Sequence, residues 1–341
     1  MSSQESKFYV SELLDLSKYT FERALADDDW DQFIERSPQG TVFSSSVFLQ
    51  ATGHKLSLWK AFKNNEWVGV VVTGETDDGM STCLIPFAIY GGIIKRQSSL
   101  NQPLPQIQTE EFRLIAAAIG HLSATYRTVQ LGLCPELRDM RPFLWHNYGE
   151  DGDKFILDLR YTSLVSLENS GVSVDLDKNN VYKSSSKSRR QEIRYGFKAG
   201  VTTRSIDQID DFMHFYEMTF ARQGISLDRE EHETVRRICT ALQSKNMINM
   251  YGTYTAEDDL ASIFVFARDS KRAYYLFGAN HPDFRDSYSG TLGLFQSLNM
   301  LADTGCAEVD LEGVNSPKRG YFKLSFGGTL TPYYRVTLHQ Q

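Results

Sequence analysis

Glu66-Trp67-Val68-Gly69-Val70-Val71-Val72 and, about 190 residues further on, Leu260-Ala261-Ser262-Ile263-Phe264-Val265-Phe266 are the same element written twice. The first follows an apolar run at 58–62 across a polar turn, Lys63-Asn64-Asn65. A second turn at Asp77-Asp78-Gly79 leads on to Cys83-Leu84-Ile85-Pro86-Phe87. The later copy follows an apolar run at 250–254 across Glu257-Asp258, and a turn at Asp269-Ser270-Lys271 leads to residues 273–278. Short β-branched and aromatic runs punctuated by polar turns predict two antiparallel meanders of three strands each.

The flanks repeat in the same order. A helix precedes each meander, over 29–36 (Trp30, Phe33, Ile34) and 209–220 (Phe212, Phe215, Tyr216, Thr219), with apolar residues three and four apart as one buried face requires. A second helix follows each, over 110–124 and 291–303, and then a short strand, over 128–133 and 307–311. Each copy closes on an aromatic–glycine end, Phe143-Leu144-Trp145-His146-Asn147-Tyr148-Gly149 in one and Tyr321-Phe322-Lys323-Leu324-Ser325-Phe326-Gly327 in the other. The repeated order predicts a duplicated α+β domain, residues 1–160 and 161–341, each a mixed, mostly antiparallel sheet flanked by helices. A chain of 341 residues holds two domains of ~150 residues comfortably. Whether the last strand, 333–338, packs on its own copy or crosses to the first is left open.

Composition is that of an ordinary globular protein, 41% hydrophobic, 23% charged and 12% aromatic, which excludes a disordered chain or a fibrous rod. No apolar run reaches the ~18–20 residues of a membrane span, and the polar start lacks the apolar core of a secretion signal, so a soluble cytoplasmic protein is expected. The net charge of −7 offers no basic footprint for bulk nucleic acid. Cys83, Cys134, Cys239 and Cys306 lie far apart in no ligand spacing, the histidines form no cluster, and no metal is expected.

Against that acidic background, residues 183–198 carry Lys183, Lys187, Arg189, Arg190, Arg194 and Lys198. Arg190, Arg194 and Lys198 fall four apart, one stripe of a helix. The stripe reads either as a solvated face or as a clamp for a phosphate-bearing substrate, since guanidinium matches phosphate geometry. No Gly-Lys-Thr phosphate loop, GxGxxG or HExxH accompanies it.

The order helix, meander, helix, strand, aromatic–glycine end resembles the GNAT acyltransferase fold. Two copies in one chain resemble its tandem branch, the Fem-type aminoacyl transferases and related N-acyltransferases of surface-sugar pathways. The resemblance rests on Gly40-Thr41-Val42-Phe43-Ser44-Ser45, on Ile85-Pro86-Phe87-Ala88-Ile89-Tyr90-Gly91-Gly92, and on Ser188-Arg189-Arg190-Gln191-Glu192-Ile193-Arg194. It continues through Ala221-Arg222-Gln223-Gly224, Ser289-Gly290-Thr291-Leu292, and Asp310-Leu311-Glu312-Gly313-Val314-Asn315-Ser316-Pro317 running into the aromatic–glycine end. It implies a donor site in the second copy, with the pyrophosphate of acyl-CoA on the backbone of Ser289, Gly290, Thr291 and Leu292, Gly290 allowing close approach and Ser289 or Thr291 capping the helix. The family's basic residue and second glycine are missing from this loop. The equivalent loop of the first copy, 101–109, has two prolines and no glycine, and is expected to bind no donor.

The same resemblance implies roles for side chains. Tyr321 would protonate the departing thiolate, Lys323 would stabilise developing negative charge, and Glu312, at the end of a short strand, would take the proton of the acceptor amine. Asp310, two residues earlier, should point to the opposite face and stay out of the site. Arg222, with Arg190 and Arg194, would hold the acceptor's phosphates, while Tyr90, Gly91 and Gly92 would line a substrate cleft. The reading that follows is an N-acyltransferase moving an acyl group from acyl-CoA to a nucleotide-linked amino sugar, for a surface polysaccharide such as O-antigen. One alternative is a tRNA-dependent aminoacyl transferase acting on a peptidoglycan precursor, for which the chain is acidic and the 220–251 stretch too short for an inserted helical arm. The other is a non-catalytic module that binds a sugar phosphate or a protein.

Overall fold

The structure is a computed structural model; it describes residues 15–99, 101–222, 224 and 228–340, with the side chains of Arg222 and Arg285 outside the described set. The chain divides into two compact units, unit 1 from Met1–Arg160 with Pro332–Gln341 and unit 2 from Tyr161–Thr331.

Unit 1 begins with β1 (Tyr19–Arg23), α1 (Asp28–Arg36) and α2 (Ser46–Thr52), followed by β2 (Leu56–Lys63), β3 (Glu66–Glu75), β4 (Thr82–Cys83) and β5 (Gly92–Lys95). Asp27 caps α1 by accepting from the Trp30 N–H, and Ser45 caps α2 by accepting from the Phe48 N–H. The strands run β1-β2-β3-β4, all antiparallel, with β5 also on β3. Lys63 pairs with Glu66 across a two-residue turn whose first residue, Asn64, has φ 54°, the left-handed geometry that tight hairpins need. The strand expected at 83–87 stops at Cys83. Pro86 has no N–H to give a ladder, Phe87 turns left-handed at φ 62°, and the meander resumes only at Gly92. Next come α3 (Leu104–Thr125), β6 (Thr128–Gly132) and α4 (Arg141–Leu144). Helix α3 starts six residues earlier than its apolar periodicity indicates, because Pro103 and Pro105 fall at its first turn, where a missing N–H costs nothing.

The core of unit 1 packs Trp30, Ile34, Leu49, Leu58, Val70, Val72, Ile85 and Ile94. Its buried carboxylate, Glu75, accepts from Arg23 (2.6 Å) and Tyr126 (2.7 Å) and lies 3.0 Å from Lys55. Burial raises its pKa, but these partners outweigh burial and bring it down to about 2.

Strand β7 (Ile156–Ser166) crosses the boundary at Tyr161 and opens unit 2 with its second half; it precedes α5 (Asn180–Ser184), α6 (Lys187–Lys198), β8 (Thr202–Ser205), α7 (Ile209–Arg222) and α8 (Arg229–Ser244). The second meander is β9 (Ile248–Tyr254), β10 (Leu260–Arg268) and β11 (Ala273–Asn280), followed by α9 (Ser289–Asp303), β12 (Glu308–Asp310) and α10 (Pro317–Leu324). The sheet order is β7-β12-β11-β10-β9-β8, antiparallel except for β11 with β12. Its core joins Phe264, Phe266 and Tyr275 to Ile193 of α6, to Leu292 and Phe295 of α9, and to Phe326. Helix α9 lies close to its neighbours because they meet glycines. A Cβ on Gly196 would come within 2.8 Å of the Leu292 Cβ, and one on Gly293 would overlap Thr253 and the Phe264 ring.

The last strand, β13 (Thr329–His339), serves unit 1: its residues 335–339 pair antiparallel with β6. Among the described residues no helix is long and apolar enough to cross a membrane.

Candidate functional site

The two parallel strands of unit 2 touch only briefly. Ala273 pairs with Val309 and Tyr274 with Asp310, after which β11 runs on to Asn280 beside β10 alone. The other strand turns away. The Leu311 N–H donates to the Ser163 carbonyl of β7, and Glu312 and Gly313 both take positive φ, 52° and 43°. The strands therefore splay, leaving one edge of β11 without a β12 partner from Tyr275 onward. Unit 1 has a similarly brief parallel contact, an isolated bridge between Gly91, just before β5, and Leu133, just after β6.

At the mouth of the unit 2 splay sit two ionisable groups drawn together from β12 and α10. Glu312 is 5% exposed, and its Oε1 has no hydrogen-bond partner. Burial holds its pKa well above the ordinary carboxylate range, the charge of Asp310 pushes it further up, and Lys323 pulls it back. The Lys323 ammonium donates to the carbonyls of Leu311 (2.5 Å) and Glu312 (3.3 Å) and lies 4.7 Å from the centre of the Tyr275 ring. Burial lowers its pKa to about 8 against the upward pull of Glu312 and Asp310.

Asp310 belongs to this site, contrary to the strand alternation read from the sequence. Its Oδ1 accepts the Glu312 N–H (2.8 Å) and the Thr162 hydroxyl. Alternation fails because the chain leaves the extended conformation at Glu312, and the Asp310 carboxylate pins that left-handed turn.

The residues of the expected donor turn come together with their side chains facing inward. Tyr288, at φ 62°, is the N-cap of α9 and makes no side-chain cap, so neither Ser289 nor Thr291 caps the helix as expected. Instead Ser289 is hydrogen-bonded to Ser262 of β10 (2.8 Å), and Thr291 donates to Glu192 (2.8 Å) and accepts from Arg189. Leu292 is fully buried in the core. What the turn can offer a ligand is backbone: the Gly290 N–H has no acceptor among the described residues. An anion would also meet the positive end of a 15-residue helix there.

The stripe on α6 is helical as expected, but its two arginines serve neighbours. Arg190 donates to the Lys183 carbonyl (3.0 Å) and Arg194 to the Tyr182 hydroxyl (2.9 Å). The arginine that reaches inward is Arg189, 6% exposed, which donates to Ser325 (2.9 Å) and Glu192 (2.5 Å) and lies over the rings of Phe322 and Phe326. It ties α6, the first turn of α9 and the end of α10 to one guanidinium. Its only trace in the sequence is its place one residue off the regular stripe.

Tyr321 is not brought to Glu312 and Lys323. Two residues along α10 correspond to about 200° of rotation, so with Lys323 inside, Tyr321 is turned outward and is 73% exposed. The Arg222 side chain lies outside the described residues. Tyr90 is 2% exposed, packed in unit 1 against Phe43 and Tyr333, and Gly91 and Gly92 are buried at the β5/β6 bridge. His281, the histidine nearest the donor turn, accepts from the Asp283 N–H at the start of the turn before α9. No group of three or more potential metal ligands occurs among the described residues.

This arrangement suits transfer of an acyl group to an amine: an enclosed carboxylate as proton acceptor, an ammonium beside it for developing charge, and a backbone cradle at the end of an open strand edge. Residues 183–323 match the family model described as Acetyltransferase (GNAT) domain. A search of curated protein sequences returned no match. Among solved structures the chain resembles FemX (12% identity, TM-score 0.63, covering 92% of this chain and 96% of that one). It also resembles a tandem GNAT protein from the clavulanic acid biosynthesis pathway (12%, 0.54, 95% and 99%) and L-PGS from Bacillus licheniformis (10%, 0.50, 92% and 92%). Residues 183–323 thus match the GNAT acetyltransferase domain model, which supports an acyltransferase, and the chain as a whole has the fold of tandem GNAT proteins.

Proposed function

We propose that the protein transfers an acyl group from acyl-CoA to the amine of a nucleotide-linked amino sugar, with unit 2 carrying the chemistry. The observation that carries this reading is the enclosed Glu312 carboxyl, with Oε1 unpartnered beside the Lys323 ammonium, at the end of an opened pair of parallel strands. A buried polar atom without a partner is costly unless a ligand supplies one. An acceptor ammonium or amine would do so. Bound acyl-CoA supplies an activated thioester carbonyl. Glu312 takes the proton of the incoming amine, Lys323 stabilises the charge that develops at the carbonyl, and the Gly290 backbone receives the pyrophosphate. The leaving group needs no positioned acid, since a thiolate whose acid has a pKa of ~8.5 can depart as the anion and take its proton from solvent, and Tyr321 is turned outward, away from Glu312 and Lys323.

In unit 1 the matching loop before α3 borders a cavity of about 200 Å³, where Lys95, Arg96 and Lys63 are engaged by Glu111, Glu66 and Glu110. A phosphate would have to displace three carboxylates, which supports a single donor site per chain. The acidic charge favours a CoA donor over tRNA, and the tandem GNAT neighbour's structure is described as one without AcCoA.

Calorimetric titration with acetyl-CoA and longer acyl-CoAs tests the donor. Micromolar binding to the native protein is expected, with loss in Gly290→Asp, whose carboxylate would face the pyrophosphate. Absence of binding to every acyl-CoA would overturn the donor assignment.

A further inference from the structure

Tyr275 has no part in the reaction as set out above, although its ring lies directly under the Lys323 ammonium. The ladder between β10 and β11 slips at Val265/Phe266, so that Tyr275 stands opposite Phe266 and Gly278 opposite Phe264, with Leu276 as the extra residue. This bulge brings Tyr275 and Gly278 onto one face. The ring packs against Phe266 (5.2 Å between centroids) and Phe264 (6.1 Å) and reaches along the strand over Gly278. A Cβ at Gly278 would run into the Tyr275 hydroxyl and come within 2.8 Å of its Cζ, so a glycine is what leaves room for the hydroxyl.

That hydroxyl has no hydrogen-bond partner among the described residues. Other tyrosines of this chain do: Tyr274 donates to Asp269 (2.8 Å), Tyr126 to Glu75 (2.7 Å), and Tyr182 accepts from Arg194 (2.9 Å). The residue as a whole is only 8% exposed, but its hydroxyl is not among the enclosed unpartnered atoms and is open to solvent or a ligand. The exposed Gly278 beneath it, and the β11 edge that has lost β12, put the hydroxyl at the open splay. Burial pushes the Tyr275 pKa up, so the group keeps its proton and remains a donor.

We propose that the Tyr275 hydroxyl is a second hydrogen-bond donor, beside Lys323, to the carbonyl oxygen of the acyl group being transferred. The inference rests on the acyltransferase reading of this site. As the amine nitrogen forms its bond to the carbonyl carbon, an electron pair moves to that oxygen, and it returns as the carbon–sulfur bond breaks and the thiolate leaves. Tyr275 gives up no proton; it contributes a fixed dipole where the charge appears, the kind of contact whose removal costs about 10²–10³-fold in kcat.

The test uses the full-length protein with acetyl-CoA as donor and a panel of nucleotide-linked amino sugars as acceptors. Tyr275→Phe keeps the ring and its place under Lys323, so melting temperature and acetyl-CoA affinity should stay as in the native protein while kcat falls about 10²-fold. A second readout needs no turnover. With acetyl-CoA labelled at its carbonyl carbon, isotope-edited infrared should show the bound thioester band shifted down in the native protein and part of that shift lost in Tyr275→Phe. Gly278→Ala, which pushes the hydroxyl away, should reproduce both effects if Tyr275→Phe folds poorly. Native-like kcat and an unchanged carbonyl band in both variants would overturn the role of Tyr275 alone. A native protein that neither binds acetyl-CoA nor acylates any acceptor would sink the acyltransferase reading and this inference with it.

Discussion

Glu312 and Lys323 titrate as a pair, so the pH profile of kcat/KM reports both together. In the proposed role of base, Glu312 must be ionised. Burial and Asp310 raise its pKa, so the rate should fall as pH drops while still well above the ~4.3 of an ordinary glutamate. In its proposed role Lys323 must be charged, and the rate should fall again as pH rises through about 8. Lys323→Met should abolish the upper limb and move the lower limb to higher pH, because the cation that eases ionisation of Glu312 is gone. Glu312→Gln should cost about 10²–10⁴-fold and move the upper limb downward, since Lys323 loses a carboxylate that holds its pKa up. A profile in which Lys323→Met leaves the lower limb in place would separate the two groups. The structure brings together two residues that the sequence singled out, one at a strand end and the other in an aromatic–glycine motif. The place of Asp310 was not legible there: period-two alternation holds only while the backbone stays extended, and the positive φ of Glu312 breaks it.

At the scale of elements, the meanders and the helix after each were readable because apolar period and turn residues agreed. The short third strand of unit 1 was misread where Pro86 and the left-handed Phe87 override an apolar run. Arg189 was hidden for a different reason: which cation of a basic helix turns inward depends on what packs against it, here Ser325 and Thr291 from segments over 100 residues away. The proposed donor turn depends on the seating of α9. Gly293, in its second turn, faces Thr253 of β9 and Phe264 of β10 with no room for a methyl. Gly293→Ala should therefore destabilise the protein by about 1–3 kcal/mol through overpacking, despite alanine's better helix propensity. By lifting the start of α9 it should also weaken acyl-CoA binding. Urea midpoints and the calorimetric Kd check both effects, and a variant as stable as the native protein would mean that α9 adjusts without strain.

For the molecule as a whole, the last strand is the feature that couples end to beginning in sequence. Residues 335–339 complete the ladder of β6, Tyr333 packs on Tyr90, and the Gln340 side chain donates to the carbonyls of Ser123 and Tyr126 (2.6 Å each). Val336 and Leu338 are fully buried, and each such side chain contributes about 1.5–3 kcal/mol. Unit 1 therefore cannot finish folding until unit 2 has been synthesised, a separation of roughly 200 residues whose closure is slow. Unit 2 draws its strands β8–β12 and its core from within Tyr161–Thr331. A chain ending at Thr331 should accordingly lose amide protection over β6 and expose Val129 and Leu131, while β9 and β10 stay protected. Hydrogen exchange followed by peptide mapping distinguishes the cases. Selective loss in β6 fits two units with separate stabilities, and equal loss in both sheets would mean that unit 2 depends on a completed unit 1 to hold the strands that carry Glu312.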